Sequence, residues 1–210
     1  MSLSTWLAFF VASWLISLSP GAGAISCMTA GVRYGYRRAL WNIAGLQVGI
    51  LFVLAIVAVG LGAIIAASAT LFLAIKWLGV AYLVWLGIEQ WRAPAFAVDA
   101  KAAEAALPVT PRELVFKGFL VNATNPKGIV FMLAVLPQFI DPSRPQLPQY
   151  AICGATLVFT DLVVMSGYTA FASRVLRLLR EPHHIKAMNR TFGALFVAAG
   201  AVLATFKRAD

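Results

Sequence analysis

The sequence predicts an all-α integral membrane protein: six transmembrane helices in two inverted three-helix repeats, with the first and fourth helices broken. Three observations carry that expectation. The chain is 61% hydrophobic and only 12% charged over 210 residues, far from the composition of a soluble domain. Several apolar stretches reach the ~20 residues a helix needs to cross a bilayer. Two of those stretches are interrupted at similar places by a proline that follows a polar residue, Ser19-Pro20 and Asn125-Pro126.

The first helix is predicted over residues 3–30, interrupted at Ser19-Pro20-Gly21. The second covers about 39–66 and the third about 71–91, both apolar runs of spanning length. A polar, Ala- and Pro-containing segment then separates two halves. The fourth helix, about 114–139, is broken at Asn125-Pro126. A loop carrying Pro142, Pro145 and Pro148 leads to the fifth, about 149–171, and the sixth covers 189–206. The single membrane domain 1–210 thus divides into a first three-helix repeat (1–92), a cytoplasmic linker (93–112) and a second three-helix repeat (113–210), with no room for a sizeable soluble domain. Trp6, Trp41, Trp77 and Trp91 fall near span ends, as an interfacial aromatic belt requires. Trp14 and Trp85 lie deeper, where core packing is expected.

The formal charge of +9 does not point to nucleic acid, because the basic residues sit beside apolar spans. Twelve of the seventeen Lys and Arg lie in connections 1–2, 3–4 and 5–6: Arg33, Arg37 and Arg38; Arg92, Lys101, Arg112 and Lys117; Arg174, Arg177, Arg180, Lys186 and Arg190. Lys76, Arg144, Lys207 and Arg208 fall on the other side, and Lys127 falls inside a span. The positive-inside rule places the three basic connections in the cytoplasm and both termini outside. Three helices per half is an odd number, so the second half enters from the opposite side, which is the inverted-repeat arrangement. The N-terminus shows neither a basic n-region nor a small-residue cleavage site, so no removed signal peptide is expected. Cys27 and Cys153 fall near opposite ends of their spans, so no disulfide between them is expected.

Residues 121–128 read VNATNPKG within an apolar run, and residues 17–24 read SLSPGAGA. Asn122, Asn125 and Lys127 are costly in hydrocarbon, and Pro126 removes a backbone donor. Such interruptions are tolerated at membrane depth where they are buried in protein or line a wet cavity. Ser19 and Asn125 suit N-caps, with Pro20 and Pro126 at the first helical position. In the inverted arrangement both second half-helices start in the middle of the bundle. Their free amides and partial positive charges would make a site for a carboxylate, and Gly21 and Gly23 would let the backbone approach a ligand. Proline kinks serving helix packing alone are the duller alternative, which the accompanying polar residues oppose.

Asp161 lies near the centre of the fifth helix. Burying it costs on the order of 3 kcal/mol on insertion scales, so a cavity or a partner is expected. It could receive a substrate ammonium, carry a coupling proton, or form a static ion pair with Lys127; Lys127 in turn could be that partner or a substrate ligand. Gln47 in the second helix occupies a loosely equivalent place and could bind substrate or make an interhelical hydrogen bond. Asn42, near the cytoplasmic end, reads as solvated. Gly45, Gly49, Gly193 and Gly200 read as close-packing positions. The pair His183-His184 has no carboxylate or cysteine nearby to complete a metal site, no Walker-type loop is present, and no histidine lies in a span to activate a serine. The sequence therefore predicts neither an enzyme nor a cofactor or metal.

Residues 17–23, 44–49 (AGLQVG), 76–87 (KWLGVAYLVWLG), Asn125-Pro126-Lys127 followed by Leu136-Pro137-Gln138-Phe139, and Thr160-Asp161 resemble the lysine-exporter (LysE) superfamily across essentially the whole chain, and most closely its homoserine/threonine resistance (RhtB-type) branch. The superfamily's proline-glycine-proline-type motif reads here Ser19-Pro20-Gly21-Ala22-Gly23, which suits the homoserine-type branch. The resemblance implies a multi-pass transporter of the bacterial inner membrane that exports small neutral amino acids and derivatives, such as homoserine, threonine and homoserine lactone, driven by the proton gradient. Its partners would be an amino-acid substrate, protons and the lipid bilayer, and a homo-oligomer is compatible with it. A zwitterion needs one anion site and one cation site, which the half-helix ends and Asp161 could supply. Lysine would want a further acidic group at depth. A passive pore for small polar solutes is the alternative.

Overall fold

The computed structural model of the protein describes residues 1–67, 69–92, 109–172 and 182–205. Their regular elements are helical throughout: α1 (Leu3–Leu18), α2 (Ala22–Tyr34), α3 (Tyr36–Ala67), α4 (Ala69–Arg92), α5 (Pro111–Ala123), α6 (Pro126–Val130, continued by a π-helical turn Phe131–Val135 and a 3-10 turn Leu136–Phe139), α7 (Gln146–Ala170) and α8 (Pro182–Thr205). Most of the expected 93–112 linker lies outside the described residues. So do Lys101, Arg174, Arg177, Arg180, Lys207, Arg208 and the expected end of the last helix at 206.

By length and composition among the described residues, two helices can cross a bilayer, Tyr36–Gly60 and Gln146–Ala170. The pairs α1 with α2 and α5 with α6 are bent by 54° and 53° at their breaks, and the total is up to four if each bent pair is one span. The two expected interruptions are therefore both present, with nearly equal bends.

Local chemistry explains where the boundaries differ from the sequence expectation. Helix α5 begins at Pro111, ahead of the apolar pattern, because Thr110 and Glu113 form a reciprocal capping box and proline fits the first turn. Helix α7 begins at Gln146, and Pro148 sits in its first turn, where an amide has no intrahelical acceptor to lose. Helix α8 starts at Pro182, seven residues before the apolar run, because the polar segment that includes His183 and His184 is helical as well. In α6, Pro137 cannot donate to the carbonyl one turn back, and the helix widens into the π turn and then tightens into the 3-10 turn.

Packing follows the small residues. A Cβ on Gly45 would strike the carbonyl of Val115, and one on Gly118 would strike that of Asn42, so α3 and α5 meet backbone to backbone. Gly49 continues this contact, 2.8 Å from the Asn122 side chain for an added Cβ. Gly193 similarly admits the Trp91 ring, joining α4 to α8. Helix α7 packs against α1, α2 and α3. One apolar cluster gathers Phe9, Leu83, Phe131, Leu136, Leu157 and Phe196, with the Phe9 ring edge-on to Phe139 at 5.2 Å. A second gathers Ala24, Met28, Leu46, Val164 and Met165. The outer surface is apolar as well: Leu78, Val59 and Leu147 are among the large side chains it exposes, as a bilayer-facing surface requires. Trp85 is on that surface, 54% exposed, and is not a core residue as its depth in the sequence suggests. Helix α4 is apolar on several faces, so position along it does not reveal which side is covered.

Candidate functional site

The two breaks meet. Between them and α7 lies a cavity of about 60 Å³, whose lining includes Ser19, Gly21, Gly23, Asn122, Asn125, Lys127 and Asp161. Seven of the ten residues singled out from the sequence are thus brought to one place. Pro20, Pro126 and Gln47 do not line it; the prolines shape the breaks, and Gln47 stands behind Asp161.

The second break is built as its sequence suggests. Asn125 is the N-cap of α6, its side chain accepts from the Lys127 amide at 3.1 Å, and Pro126 follows at the first helical position. The first break differs. Ser19 ends α1, its amide donating to the Leu15 carbonyl, and the N-cap of α2 is Gly21, which has no side chain to offer. Proline needs an extended residue before it, and Ser19 is extended (ψ 112°), but the turn into α2 takes two more residues. The Ser19 hydroxyl is consequently free of capping duty. It is buried and has no hydrogen-bond partner among the described residues, an unusual condition for a polar atom in a folded protein.

Lys127 makes a contact that the sequence does not announce. Its ammonium donates to the carbonyls of Ile16 at 3.1 Å and Ser19 at 2.5 Å. The Tyr168 hydroxyl donates to the Leu18 carbonyl between them at 2.6 Å. The last carbonyls of a helix lack intrahelical donors and carry partial negative charge. A cation from the second break therefore caps the half-helix that ends at the first. The ammonium has three donors, and the two carbonyls leave one for the cavity. No direct Lys127–Asp161 ion pair forms.

Asp161 is buried, 9% exposed, and its Oδ2 accepts from Gln47 Nε2 at 2.7 Å. Its Oδ1 accepts no hydrogen bond from the described residues, and the residue borders the cavity. Gln47 is thus the interhelical partner that orients the carboxylate. Asn122 also has a structural bond, donating to the Leu46 carbonyl at 2.8 Å, where the glycine crossing brings α5 against α3. Beside Asp161 in the chain, the Thr160 hydroxyl lies 3.5 Å from that of Ser17.

Three residues escaped the sequence reading. Tyr168 stands seven positions after Asp161, two turns along the same helical face, and that spacing was its available signal. Asn42 is fully buried rather than solvated: it accepts from Ser26 Oγ at 3.1 Å and donates to the Leu114 carbonyl at 3.3 Å. The close α3–α5 crossing buries it, and nothing local in its sequence announces that. Phe131, in the π turn, forms part of the cavity wall with nothing in sequence to separate it from other apolar residues.

The chain is 46% identical over 209 residues, all of both chains, to the homoserine/homoserine lactone efflux protein of Salmonella typhimurium. It is 42% identical to an uncharacterized membrane protein of Vibrio cholerae, covering 99% of this chain and all of the other. A leucine efflux protein of Enterobacter is 26% identical, covering 97% of this chain and 96% of its own. No solved structure matches. The family model for LysE type translocators matches residues 14–206, so the chain belongs to the LysE type translocator family.

Proposed function

We propose that the protein is a secondary exporter of small neutral amino acids and their derivatives, homoserine, threonine and homoserine lactone among them, from the bacterial cytoplasm across the inner membrane, coupled to protons. The observation that carries this reading is the polar cavity between the two helix breaks, where groups complementary to a zwitterion face one another. A substrate ammonium would bind the open Oδ1 of Asp161. A carboxylate would take the first-turn amides of α2, the unpartnered Ser19 hydroxyl and the remaining donor of Lys127. Gly21 and Gly23 keep the α2 amides accessible. Homoserine lactone retains the ammonium and offers an uncharged carbonyl to the same donors. Asp161 is the proton-coupling residue: protonation and ammonium binding compete for one oxygen, so the two cargoes exclude each other.

The same reading takes α4 and α8 as further spans, giving six in two inverted repeats, 1–92 and 113–210, joined by a cytoplasmic linker at 93–112 and with both termini periplasmic. Three features support it. The bends at the two breaks are nearly equal. The broken span α1–α2 of the first half packs on α7 of the second, as the broken span α5–α6 packs on α3 of the first, while α4 and α8 pack on each other. Gln47 and Asp161, at loosely equivalent places in α3 and α7, are hydrogen-bonded to each other.

Purified protein in liposomes, loaded with homoserine and given a pH gradient, tests the proposal. Saturable homoserine flux that a protonophore suppresses is expected; flux that neither saturates nor responds to the protonophore would identify a passive pore. Asp161→Asn should abolish gradient-driven flux while the protein still inserts and melts cooperatively. Near-wild-type flux in that variant would remove Asp161 from the coupling.

A further inference from the structure

A second cavity, of about 360 Å³ and lined by apolar residues including Ala12, Leu15, Val135 and Phe196, lies between α1, α4, α6 and α8. It adjoins the polar cavity, and one residue, Phe131, lines both. Neighbouring residues divide between the two sides: Ile16 and Met132 face the polar cavity, Leu15 and Val135 the apolar one. The Phe131 ring is 3% exposed and lies 6.5 Å from the Phe9 ring in a tilted contact. It is also the first residue of the π turn, a local widening that recurs at functional sites.

We infer that Phe131 is a specificity-determining residue: its ring closes the polar cavity against the apolar one and limits the substrate's side chain to small groups. The inference rests on the export reading above. A substrate held at its ammonium by Asp161 and at its carboxylate by the α2 end has its α-carbon between them. Its side chain must then lie against the remaining wall, which is apolar and includes Phe131, Met132 and Leu157. Phe131 lines the apolar cavity as well, and Met132 and Leu157 do not, so shortening Phe131 joins the two spaces and shortening the others does not.

The test is counterflow in proteoliposomes with labelled homoserine and labelled norleucine supplied in competition. Norleucine has the same ammonium and carboxylate with a longer, wholly apolar side chain. In Phe131→Ala the norleucine-to-homoserine preference should rise by roughly tenfold or more, the discrimination typical of an added apolar subsite. Phe131→Leu should move it in the same direction by less. Adding Ala12→Leu to Phe131→Ala refills the apolar cavity and should return the preference towards wild type. A preference unchanged within about twofold in a Phe131→Ala protein that still melts cooperatively overturns the inference. If Phe131→Ala does not fold, an unchanged preference in Phe131→Leu overturns it equally. Wild-type protein that exchanges no homoserine overturns the export reading, and this inference with it, whereas normal wild-type exchange with an unmoved preference overturns this inference alone.

Discussion

Replacing Lys127 by methionine separates a structural role for its ammonium from a ligand role. The side chain spans from the second break to the end of α1 and donates to two carbonyls, Ile16 at 3.1 Å and Ser19 at 2.5 Å. A hydrogen bond to a charged group contributes about 1.5–3 kcal/mol. Lys127 is half-buried beside a polar cavity, so water can replace part of what methionine removes, and one bond rather than two is counted, about 1.5–3 kcal/mol. For a chain of this length that lowers Tm by about 3–12 °C. The assay is thermal unfolding of the detergent-purified variant followed by size-exclusion chromatography, with and without homoserine. A Tm within about 2 °C of wild type, together with loss of the homoserine-induced stabilisation, would refute the capping argument and make Lys127 purely a substrate ligand.

Asn125→Ala removes the α6 N-cap and should cost about 1 kcal/mol of stability, read in the same thermal assay, with homoserine affinity in counterflow falling by more than that loss explains. Gly118→Leu should prevent folding, because even its Cβ would strike the Asn42 carbonyl, and the yield of monodisperse protein measures this. Gly60→Ala is the matched control: its Cβ meets nothing within 4 Å, and wild-type yield and Tm are expected.

The all-helical fold and both breaks were legible in the sequence because their signals are local. Apolar runs of spanning length and proline after a capping residue need no tertiary information. Asn125 behaved as read for the same reason, since an N-cap bonds to an amide two residues away. Ser19 did not, because a cap at that turn depends on how many residues the chain needs to reverse, and Gly21 took the position. Lys127 and Gln47 illustrate the remaining gap. Polar residues in apolar runs announce that they need partners, but which partner is chosen depends on where α1 ends relative to α6, and on α3 facing α7. The burial of Asn42 has no local signal, because it comes from a helix crossing more than seventy residues away in the chain.

The glycine contact between α3 and α5 also limits how the molecule can move. Side chains at an ordinary helix contact change rotamer as helices slide past each other; main chain against main chain has no such compliance. Gly45 and Gly118 weld α3, from residues 1–92, to α5, from residues 113–210. Any rearrangement that exposes the polar cavity first to one side and then to the other must carry this pair as one rigid body. The two sequence halves are therefore not the moving parts. A second pair of this kind is α4 and α8, where Gly87 and Gly193 each lie against the other's carbonyl, so displacement is expected between the two welded pairs and not within either.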